Sequence, residues 1–223
     1  MDSKRTLGII PARGGSKGIN KKNIRIVNGD PLINYTIRAS NKSNAINRTI
    51  VTTDSTEIAN TASSAGAEVP FLRPSSLAKD DTPTEPVITH ALSELDESFS
   101  ELVLLQPTSP LRTATHINEA ADKFRSTGAT SLVSAYEDHS YRWHNTADGA
   151  TRVNYNERMR RQEKTSEYVE NGAIYMTDVE MFLDTESLTA GQTEIYEMSK
   201  LASVDIDEPD DLRLATAIMD EFY

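Results

Sequence analysis

A short apolar segment that runs directly into a glycine-rich basic loop constrains this chain most. Leu7–Pro11 precedes the loop, in which glycines are interspersed with cations: Gly14, Gly15, Gly18, Arg13, Lys17, Lys21 and Lys22. Glycine lets a backbone turn sharply and approach a ligand closely, and successive exposed N–H groups form a nest for anions. Because the chain as a whole has a formal net charge of −11, the local cations predict an anionic ligand, and a nucleoside triphosphate fits best.

The spacing of the glycines excludes two common phosphate-binding loops. A G-x-x-x-x-G-K-[ST] loop would need lysine after Gly18, where Ile19 stands, and G-x-G-x-x-G fails because Gly14 and Gly15 are adjacent. The chain is therefore neither a Walker-type NTPase nor an ordinary dinucleotide-binding protein. A plainer interpretation, a turn that carries solvated lysines, stays open on the loop alone.

Composition and charge limit the class of protein further. With 223 residues, of which 37% are hydrophobic and 26% charged, the chain is long enough for one α/β domain with a full core. The absence of cysteine excludes disulfides, thiolate nucleophiles and cysteine-based metal sites. The acidic balance argues against nucleic-acid and membrane partners. We expect neither a signal peptide nor a transmembrane helix, and hence a cytoplasmic location.

Strand-like and helix-like segments alternate along most of the chain. The predicted strands are 6–10, 48–53, 68–72, 101–106, 130–136 and 172–177, and the predicted helices are 31–43, 55–65, 84–95, 113–126 and 209–222. Repeated β–α units predict an α/β fold, a mostly parallel sheet with helices on both faces, in a single domain over 1–223. Such sheets bind ligands at the carboxyl ends of their strands, where the glycine-rich loop and Pro107–Arg112 both lie.

The alternation stops between about 138 and 169. This segment is polar and aromatic, and it fits neither a long helix nor a core strand; its aromatic and histidine residues include Tyr141, Trp143, His144, Tyr155 and Tyr168. We interpret it as an arm inserted into the domain and as a candidate oligomerisation element.

Two aspartates near the carboxyl end form a candidate metal site. If residues 203–207 are a strand, Asp205 and Asp207 lie on one face because side chains two apart point the same way, with Val204 and Ile206 buried on the other. Neighbouring carboxylates repel unless a cation lies between them, and Mg²⁺ in phosphate chemistry is held by one or two carboxylates together with substrate phosphates. The alternative is that these acids only favour the amino end of the last helix.

A polar turn after a buried strand is a further candidate for ligand contact. Leu104–Arg112 (LLQPTSPLR) ends in an amide, hydroxyls and an arginine, which would place Gln106 and Arg112 at the ligand crevice; a rigid exposed loop is the alternative. Among the histidines, His90 and His116 fall inside predicted helices. Because G-x-S-x-G and H-E-x-x-H are absent, acyl-transfer and zinc-protease chemistry lack support.

The order of these segments resembles a known family. They are IIPARGGSKGINKKN (9–23), VTTDSTEIA (51–59), FLRPSSLAKDDT (71–82), LLQPTSPLR (104–112), RRQ (160–162), NGAIY (171–175) and VDID (204–207). In that order they are similar to acylneuraminate cytidylyltransferases, also called CMP-sialic acid synthetases. The resemblance covers nearly the whole chain and implies a three-layer Rossmann-like nucleotidyltransferase fold with an inserted dimerisation arm.

The resemblance implies a reaction in which CTP and a nine-carbon 2-keto-3-deoxy sugar acid, a nonulosonic acid of the sialic type, give a CMP-sugar and pyrophosphate. The anomeric hydroxyl attacks the α-phosphate without a covalent enzyme intermediate, so catalysis rests on positioning and charge neutralisation. The implied partners are CTP, the sugar acid and a second copy of the chain, whose arm reaches over the active site.

The resemblance also assigns roles by matching motif. Nucleotide binding falls to Arg13, Gly14, Gly15, Ser16, Lys17, Lys22, Asn23 and Arg73, with the last two at the cytidine. Asp205 and Asp207 are assigned to Mg²⁺, and Arg13, Lys22 and Asp207 to catalysis. Gln106, Arg161 and Tyr175 are assigned to the sugar. No general base is assigned.

The sequence departs from the sialic-acid pattern around the sugar. Val169-Glu170 stands where the family often has Arg-Pro, and Leu188-Thr189 aligns near a pair of apolar, often aromatic, residues that the partner subunit contributes. The acceptor is therefore open between N-acylneuraminate and a related legionaminate-, pseudaminate- or octulosonate-type acid. A non-catalytic CTP-binding module is the alternative from another class.

Overall fold

A mostly parallel sheet forms the centre of the molecule, and the computed structural model describes residues 5–222. The strands of this described chain are β1 (Thr6–Pro11), β2 (Ile26–Val27), β3 (Asp30–Pro31), β4 (Arg48–Thr52), β5 (Glu101–Leu104), β6 (Ser131–Asp138), β7 (Trp143–Thr146), β8 (Gly149–Arg152), β9 (Glu167–Asp178) and β10 (Thr193–Glu197). Its α-helices are α1 (Leu32–Asn41), α2 (Thr56–Ser64), α3 (Thr84–Ser93), α4 (Ala114–Thr127), α5 (Val179–Thr185) and α6 (Pro209–Phe222).

The central sheet has the strand order β10-β6-β9-β5-β1-β4. β1 pairs in parallel with β4 and β5, β10 pairs in parallel with β6, and β9 alone runs antiparallel between β5 and β6. The carboxyl ends of β1, β4 and β5 therefore meet at one edge, where the glycine-rich loop begins. The predicted mostly parallel sheet is confirmed.

Apolar side chains cover both faces of the sheet. One face packs against α1, α2 and α4, with Ile37, Ile58 and Phe124 among the buried contacts. The other face packs against α3 and α5 through residues such as Ile88 and Phe182. These layers confirm the three-layer Rossmann-like arrangement, since each helix buries one apolar face against the pleated side chains of the strands.

Local signals set the ends of several helices. Ser55 precedes α2 and its hydroxyl accepts a hydrogen bond from the Ile58 amide at 3.4 Å, and Gly128 ends α4 with φ +68°.

The predicted strand over 68–72 is wrong. Only Glu68 and Leu72 bridge to the chain near β4, because Pro70 between them has no N–H to continue a ladder.

The last helix packs against the later part of the glycine-rich loop. Ala215, Ile218 and Met219 of α6 are buried together with Ile19 and Ile206, and Leu212 packs against this cluster. The predicted helix over 209–222 is confirmed, and its buried face holds the loop and Ile206 in the same apolar layer.

The arm is narrower than predicted. β6 and β9 continue their pairing as far as Asp138↔Glu167, so the inserted segment is 139–166, and β7 and β8 form a hairpin within it. Tyr155 packs against Tyr141 and Trp143, with ring centroids 4.4 and 5.8 Å apart.

In residues 5–222, no helix is both long and apolar enough to cross a bilayer.

Candidate active site

A cleft opens at the carboxyl ends of β1 and β5 and collects many of the predicted site residues. Its walls include the glycine-rich loop, the chain between Arg73 and α3, and the turn after β5; among the lining residues are Arg13, Gly15, Ser16, Lys22, Asn23, Arg73, Gln106 and Thr108. Gly14, Lys17, Tyr175, Asp205 and Asp207 lie around this cleft rather than in its lining, as their contacts show below.

Two polar groups of the glycine-rich loop make hydrogen bonds that fix the conformation of the loop. The Gly14 amide donates to Asp54 Oδ1 at 2.8 Å, and the side-chain amide of Asn23 donates to the Arg13 carbonyl at 3.0 Å. The Gly14 N–H is therefore not free for an anion, unlike the prediction, and buried Asn23 braces the loop from behind. Lys21, in the left-handed conformation with φ 54°, pairs with Glu57 on α2 at 2.7 Å.

Two loop cations converge on one carboxylate. Arg13 and Lys17 both form ion pairs with Asp80, and the Lys17 Nζ to Asp80 Oδ2 distance is 3.2 Å. The hydrogen bond from Arg13 is the largest cause, and that from Lys17 the next, that lowers the pKa of Asp80 below its usual range. The structure therefore shows an anion already seated between the cations that were assigned to the triphosphate.

Lys22 and Gly18 attach the loop to the aspartate segment. Lys22 Nζ lies 2.9 Å from both the Ile206 carbonyl and Asp207 Oδ1. A Cβ on Gly18 would lie 2.4 Å from the carbonyl oxygen of Asp207. Glycine is required there because any side chain would collide with backbone, which cannot give way as a flexible side chain can.

The predicted strand at 203–207 is wrong. Residues 204–207 form no ladder, and one backbone hydrogen bond, from the Ile206 amide to the Thr108 carbonyl at 2.9 Å, ties them to the turn after β5. The Asp207 and Glu208 amides both donate to Asp211 Oδ2, at 3.0 and 2.8 Å, which draws the chain into α6. As a result the two aspartates have unequal surroundings instead of sharing one strand face.

Asp205 is the more buried carboxylate of the pair. Its Oδ1 atom is buried and has no hydrogen-bond partner among the described residues. Burial is the main cause that raises its pKa, and the charge of Asp207 adds to it, while the Thr108 hydroxyl and Lys22 oppose it. Asp207 is exposed over 71% of its side chain, so the pair presents one buried, unsatisfied oxygen and one accessible carboxylate.

These features fit a divalent cation that is completed by phosphate oxygens. Within residues 5–222 no group of three or more His, Asp or Glu side chains is arranged to hold a metal. Mg²⁺ is commonly bound through one or two carboxylates plus substrate phosphates, and an orphaned buried carboxylate oxygen is the kind of atom that a cation satisfies.

Arg73 presents unused donors to the cleft. It is 5% exposed, and its Nε and Nη2 atoms have no hydrogen-bond partner among the described residues. Its nearest carboxylate oxygen is Asp54 Oδ1 at 3.9 Å, and burial lowers its pKa. A buried guanidinium with free N–H groups at a cleft wall suits a polar ligand group.

Two of the residues predicted to bind the acceptor sugar, Tyr175 and Gln106, lie on β9 and in the turn after β5. Gln106 lines the cleft, and its side chain packs against Gly172, where a Cβ would lie 3.2 Å from Gln106 Oε1 and where φ is +70°. Tyr175, opposite Leu104 in the sheet, donates its hydroxyl to Glu170. Burial first and Glu170 second raise the pKa of Tyr175. The side chain of Arg161 lies outside the described part of the structure.

Arg112 does not lie at the crevice as predicted. It is 2% exposed and points into the protein, where its Nη1 donates to the carbonyls of Gln106 and Ala173.

Leu188, expected at a subunit contact, is 7% exposed and packs with the core on the α3 and α5 face. His90 and His116 lie in α3 and α4, as predicted, and His116 contributes to the cap of α4.

The family of the chain follows from comparison with known proteins. A model described as cytidylyltransferase matches residues 7–221. The chain belongs to this cytidylyltransferase family. The match extends across both walls of the cleft, from β1 into α6, so the resemblance that the motifs carried is confirmed.

Curated relatives of this cytidylyltransferase have related names. An N-acylneuraminate cytidylyltransferase of Escherichia coli is 35% identical over 95% of the chain and 51% of that protein. A CMP-N,N'-diacetyllegionaminic acid synthase of Legionella pneumophila is 31% identical over 97% of both proteins. The chain thus spans about half the length of several curated relatives it matches, the Danio rerio N-acylneuraminate cytidylyltransferase A among them at 48%, and nearly all of the Legionella relative.

Solved structures share the fold of this cytidylyltransferase. A CMP:2-keto-3-deoxy-manno-octonic acid synthetase complexed with CTP superposes with a TM-score of 0.73 at 14% identity, over 98% of this chain and 100% of that one. A 4-diphosphocytidyl-2C-methyl-D-erythritol synthase from Anaerococcus prevotii gives 0.70 at 13% identity, over 97% and 99%. At these identities the likeness concerns the fold.

Sequence reasoning missed several residues that shape the site of this cytidylyltransferase. Asp54 holds Gly14 and lies nearest to Arg73, and it directly follows β4, so its place at the carboxyl edge of the sheet was a usable signal. Asp80 carried no such signal, because its partners Arg13 and Lys17 lie 67 and 63 residues away in the chain. Asn171, buried between Ser134 and Ser203, lies at the irregular β6–β9 pairing, which only the sheet register reveals.

Proposed function

We propose that this cytidylyltransferase transfers CMP from CTP to the anomeric hydroxyl of a keto-deoxy sugar acid of the nonulosonate type. The observation that carries the proposal is the cleft itself: Arg13, Lys22 and the unused donors of Arg73 line it, and Lys22 also pairs with Asp207 beside it. The curated names of the relatives supply the substrate class. A reaction that consumes CTP also fits the expected cytoplasmic location.

The nucleotide half would work by charge neutralisation and positioning. Arg13, Lys17 and Lys22 would exchange their present carboxylate partners, Asp80 and Asp207, for triphosphate oxygens. Phosphoryl transfer relies chiefly on such electrostatic stabilisation and on holding the reactants in line. Arg73, whose donors are unused, would bind the cytidine end of the nucleotide.

The aspartates would hold the metal that the reaction needs. Asp205 and Asp207 would bind Mg²⁺, which withdraws charge from the α-phosphate and from the leaving pyrophosphate. The acceptor hydroxyl oxygen would form a bond to the α-phosphorus as the bond between the α-phosphorus and the α–β bridging oxygen breaks, with the hydroxyl proton passing to water and the bridging oxygen leaving as part of pyrophosphate. Gln106 and Tyr175 would orient the sugar for this attack.

Among the side chains that the structure describes, no cation acts on Tyr175 as a candidate partner for the carboxylate of a sugar acid. The charged groups that act on Tyr175 are all acidic, namely Glu170, Asp205 and Glu85. A cation for the sugar carboxylate must then come from the metal or from elsewhere. The arm carries exposed Arg158 and Arg160, so we propose a homodimer in which the arm of one subunit brings cations to the other's cleft.

The identity of the acceptor sugar acid is less closely defined than that of the nucleotide. Glu170 adds a carboxylate beside Tyr175, and Leu188 is committed to the core of its own subunit, so this sugar pocket differs from the pattern in which Arg-Pro and a partner's aromatic pair surround the sugar. A legionaminate- or pseudaminate-type acid therefore stands beside N-acylneuraminate as the acceptor.

The decisive experiment measures pyrophosphate release with Mg²⁺ and CTP against a panel of nine-carbon and eight-carbon keto-deoxy sugar acids, with ATP, GTP and UTP as controls. Release with CTP and a nonulosonate alone would support the proposal and name the acceptor. Release only with the eight-carbon acid would replace the acceptor class. CTP binding without release across the panel would refute transfer to these acids and favour a CTP-binding module.

A further inference from the structure

Arg112 is the most deeply buried cation of the site region and has no carboxylate partner in residues 5–222. It is 2% exposed, and its Nε and Nη2 atoms have no hydrogen-bond partner among those residues. Its burial lowers the pKa of the guanidinium to about 9. An unpaired buried charge disfavours folding, and apolar residues of similar volume often serve stability at least as well. Stability alone therefore does not explain an arginine here.

The contacts that Arg112 does make are to the acceptor framework. Its Nη1 atom donates to the carbonyl of Gln106 at 3.2 Å and to the carbonyl of Ala173 on β9 at 2.9 Å. One guanidinium group thus joins the residue assigned to the sugar with the strand that carries Tyr175. The join lies beside Gly172, against which the Gln106 side chain is packed.

The same turn also holds the aspartate segment. The Thr108 carbonyl, between Gln106 and Arg112 in the chain, accepts the Ile206 amide at 2.9 Å. Ile206 lies between the two proposed metal ligands. A shift of the turn relative to β9 would therefore move Gln106 directly and the aspartates through one further hydrogen bond.

We propose that Arg112 is a positioning residue for the acceptor half of the site, setting the main chain of Gln106 against β9. The proposal rests on the proposed function, because that function assigns Gln106 to the acceptor. A small misplacement of a substrate-positioning group can lower turnover by up to about 10²-fold, whereas the nucleotide contacts of Arg13 and Arg73 do not involve Arg112.

The test compares Arg112→Lys and Arg112→Met with the wild-type chain in full steady-state kinetics. For Arg112→Met we expect KM for the sugar acid to rise about tenfold and kcat to fall about tenfold or more, with KM for CTP within about twofold. Arg112→Lys should recover only part of the loss, because lysine keeps the charge but lacks the planar guanidinium group that places Nη1 between the two carbonyls.

Arg125→Lys is the matched control. Arg125 bonds the buried Glu101 and Thr6 at the amino ends of β5 and β1, away from the cleft. It should alter thermal stability without separating the KM values of the two substrates. Wild-type acceptor kinetics in Arg112→Met, or equal losses for CTP and acceptor, would overturn the positioning role.

Hydrogen exchange separates this proposal from the proposed function. In substrate-free Arg112→Met, amides of 104–112 and 171–177 should exchange faster than in the wild-type chain, and the amides of α1 and α2 should not. If the wild-type chain transfers CMP to no acid in the panel, the proposed function fails, yet this local exchange pattern still decides whether Arg112 anchors the turn. Unchanged or uniformly faster exchange would refute it.

Discussion

The two halves of the cleft are built in different ways. The proposed nucleotide half is built largely on ion pairs with exposed or half-exposed carboxylates, with Arg13 and Lys17 on Asp80 and Lys22 on Asp207, while Arg73 is buried with unused donors. The acceptor half stands on a buried framework, in which Arg112 and Gly172 fix Gln106 and a half-buried Tyr175 donates to Glu170. Exposed ion pairs exchange partners at little cost, whereas buried polar contacts do not. The difference suggests an adaptable phosphate site beside a rigid acceptor site.

The largest effect should come from Asp207→Ala. Loss of a charge-stabilising group of this kind lowers turnover by about 10²-fold or more, while the exposed position of Asp207 should leave the fold intact. Turnover at saturating Mg²⁺, with circular dichroism as the check on folding, measures this. Asp210→Ala, also exposed and paired with Arg213, is the control. Turnover near the wild-type value in Asp207→Ala would remove the aspartate from the metal site.

A somewhat smaller loss is expected from Gly18→Val. Its Cβ would meet the Asp207 carbonyl oxygen at 2.4 Å, so the loop must separate from the aspartate segment. We expect kcat/KM for CTP to fall by about 10–10²-fold, since a misplacement of about 1 Å can have this effect. Asn20→Ala, exposed in the same loop, should change it little. Equal values for the two variants would show that the loop and aspartates act independently.

Tyr175→Phe probes the rigid half. Removing the hydroxyl leaves the ring packed but ends the bond to Glu170, and we expect KM for the sugar acid to rise about tenfold, in line with one lost hydrogen bond to a charged group. KM for CTP should stay unchanged. Glu170→Gln removes the negative charge but leaves the Tyr175 hydroxyl in place. An equal rise in KM for the sugar acid in both variants would show that Tyr175 and Glu170 act as a unit. A change in KM for CTP would contradict the division of the cleft into two halves.

Asp80→Asn tests whether the cations of the adaptable half are held by a competitor. Without the charge at Asp80, Arg13 and Lys17 are released for phosphate, so KM for CTP should fall by about two- to fivefold, the scale of an exposed ion pair. Salt titration should reduce the difference between variant and wild type. The neighbouring Asp81→Asn serves as the control, and a raised KM in Asp80→Asn would instead make Asp80 a supporting residue.

The smallest effect concerns stability rather than rate. Burial raises the pKa of Asp205, so the folded state binds its proton more tightly than the unfolded state and stability is lost as pH rises through that pKa. Asp205→Asn should therefore raise the melting temperature of the ligand-free protein at pH 7 by about 1–3 °C, roughly 0.5–1 kcal/mol for this size. The gain should vanish at acid pH, below the pKa of an ordinary aspartate. A lower melting temperature at pH 7 would contradict it.

How far the sequence could predict the molecule depended on the range of the interactions. The last helix and the glycine-rich loop after β1 are set by residues within a few positions of one another, and both were predicted. The segments 68–72 and 203–207 were wrongly predicted as strands, because Pro70 breaks one ladder and Asp211 accepts the Asp207 and Glu208 amides immediately before α6. The extended pattern alone does not contain those partners.

The sequence by itself determined the α/β class and the family, because motif residues and hydrophobic periodicity are local features of the chain. Tertiary structure decided which of those residues are free to act. The Gly14 amide and the Asn23 side chain form hydrogen bonds that stabilise the loop, and Arg112 points inward and bonds the Gln106 carbonyl. Asp80, 67 residues further along the chain, pairs with Arg13. The physical reason is that a polar group bonds whatever the fold brings within reach, and that reach is set by packing rather than by position in the chain.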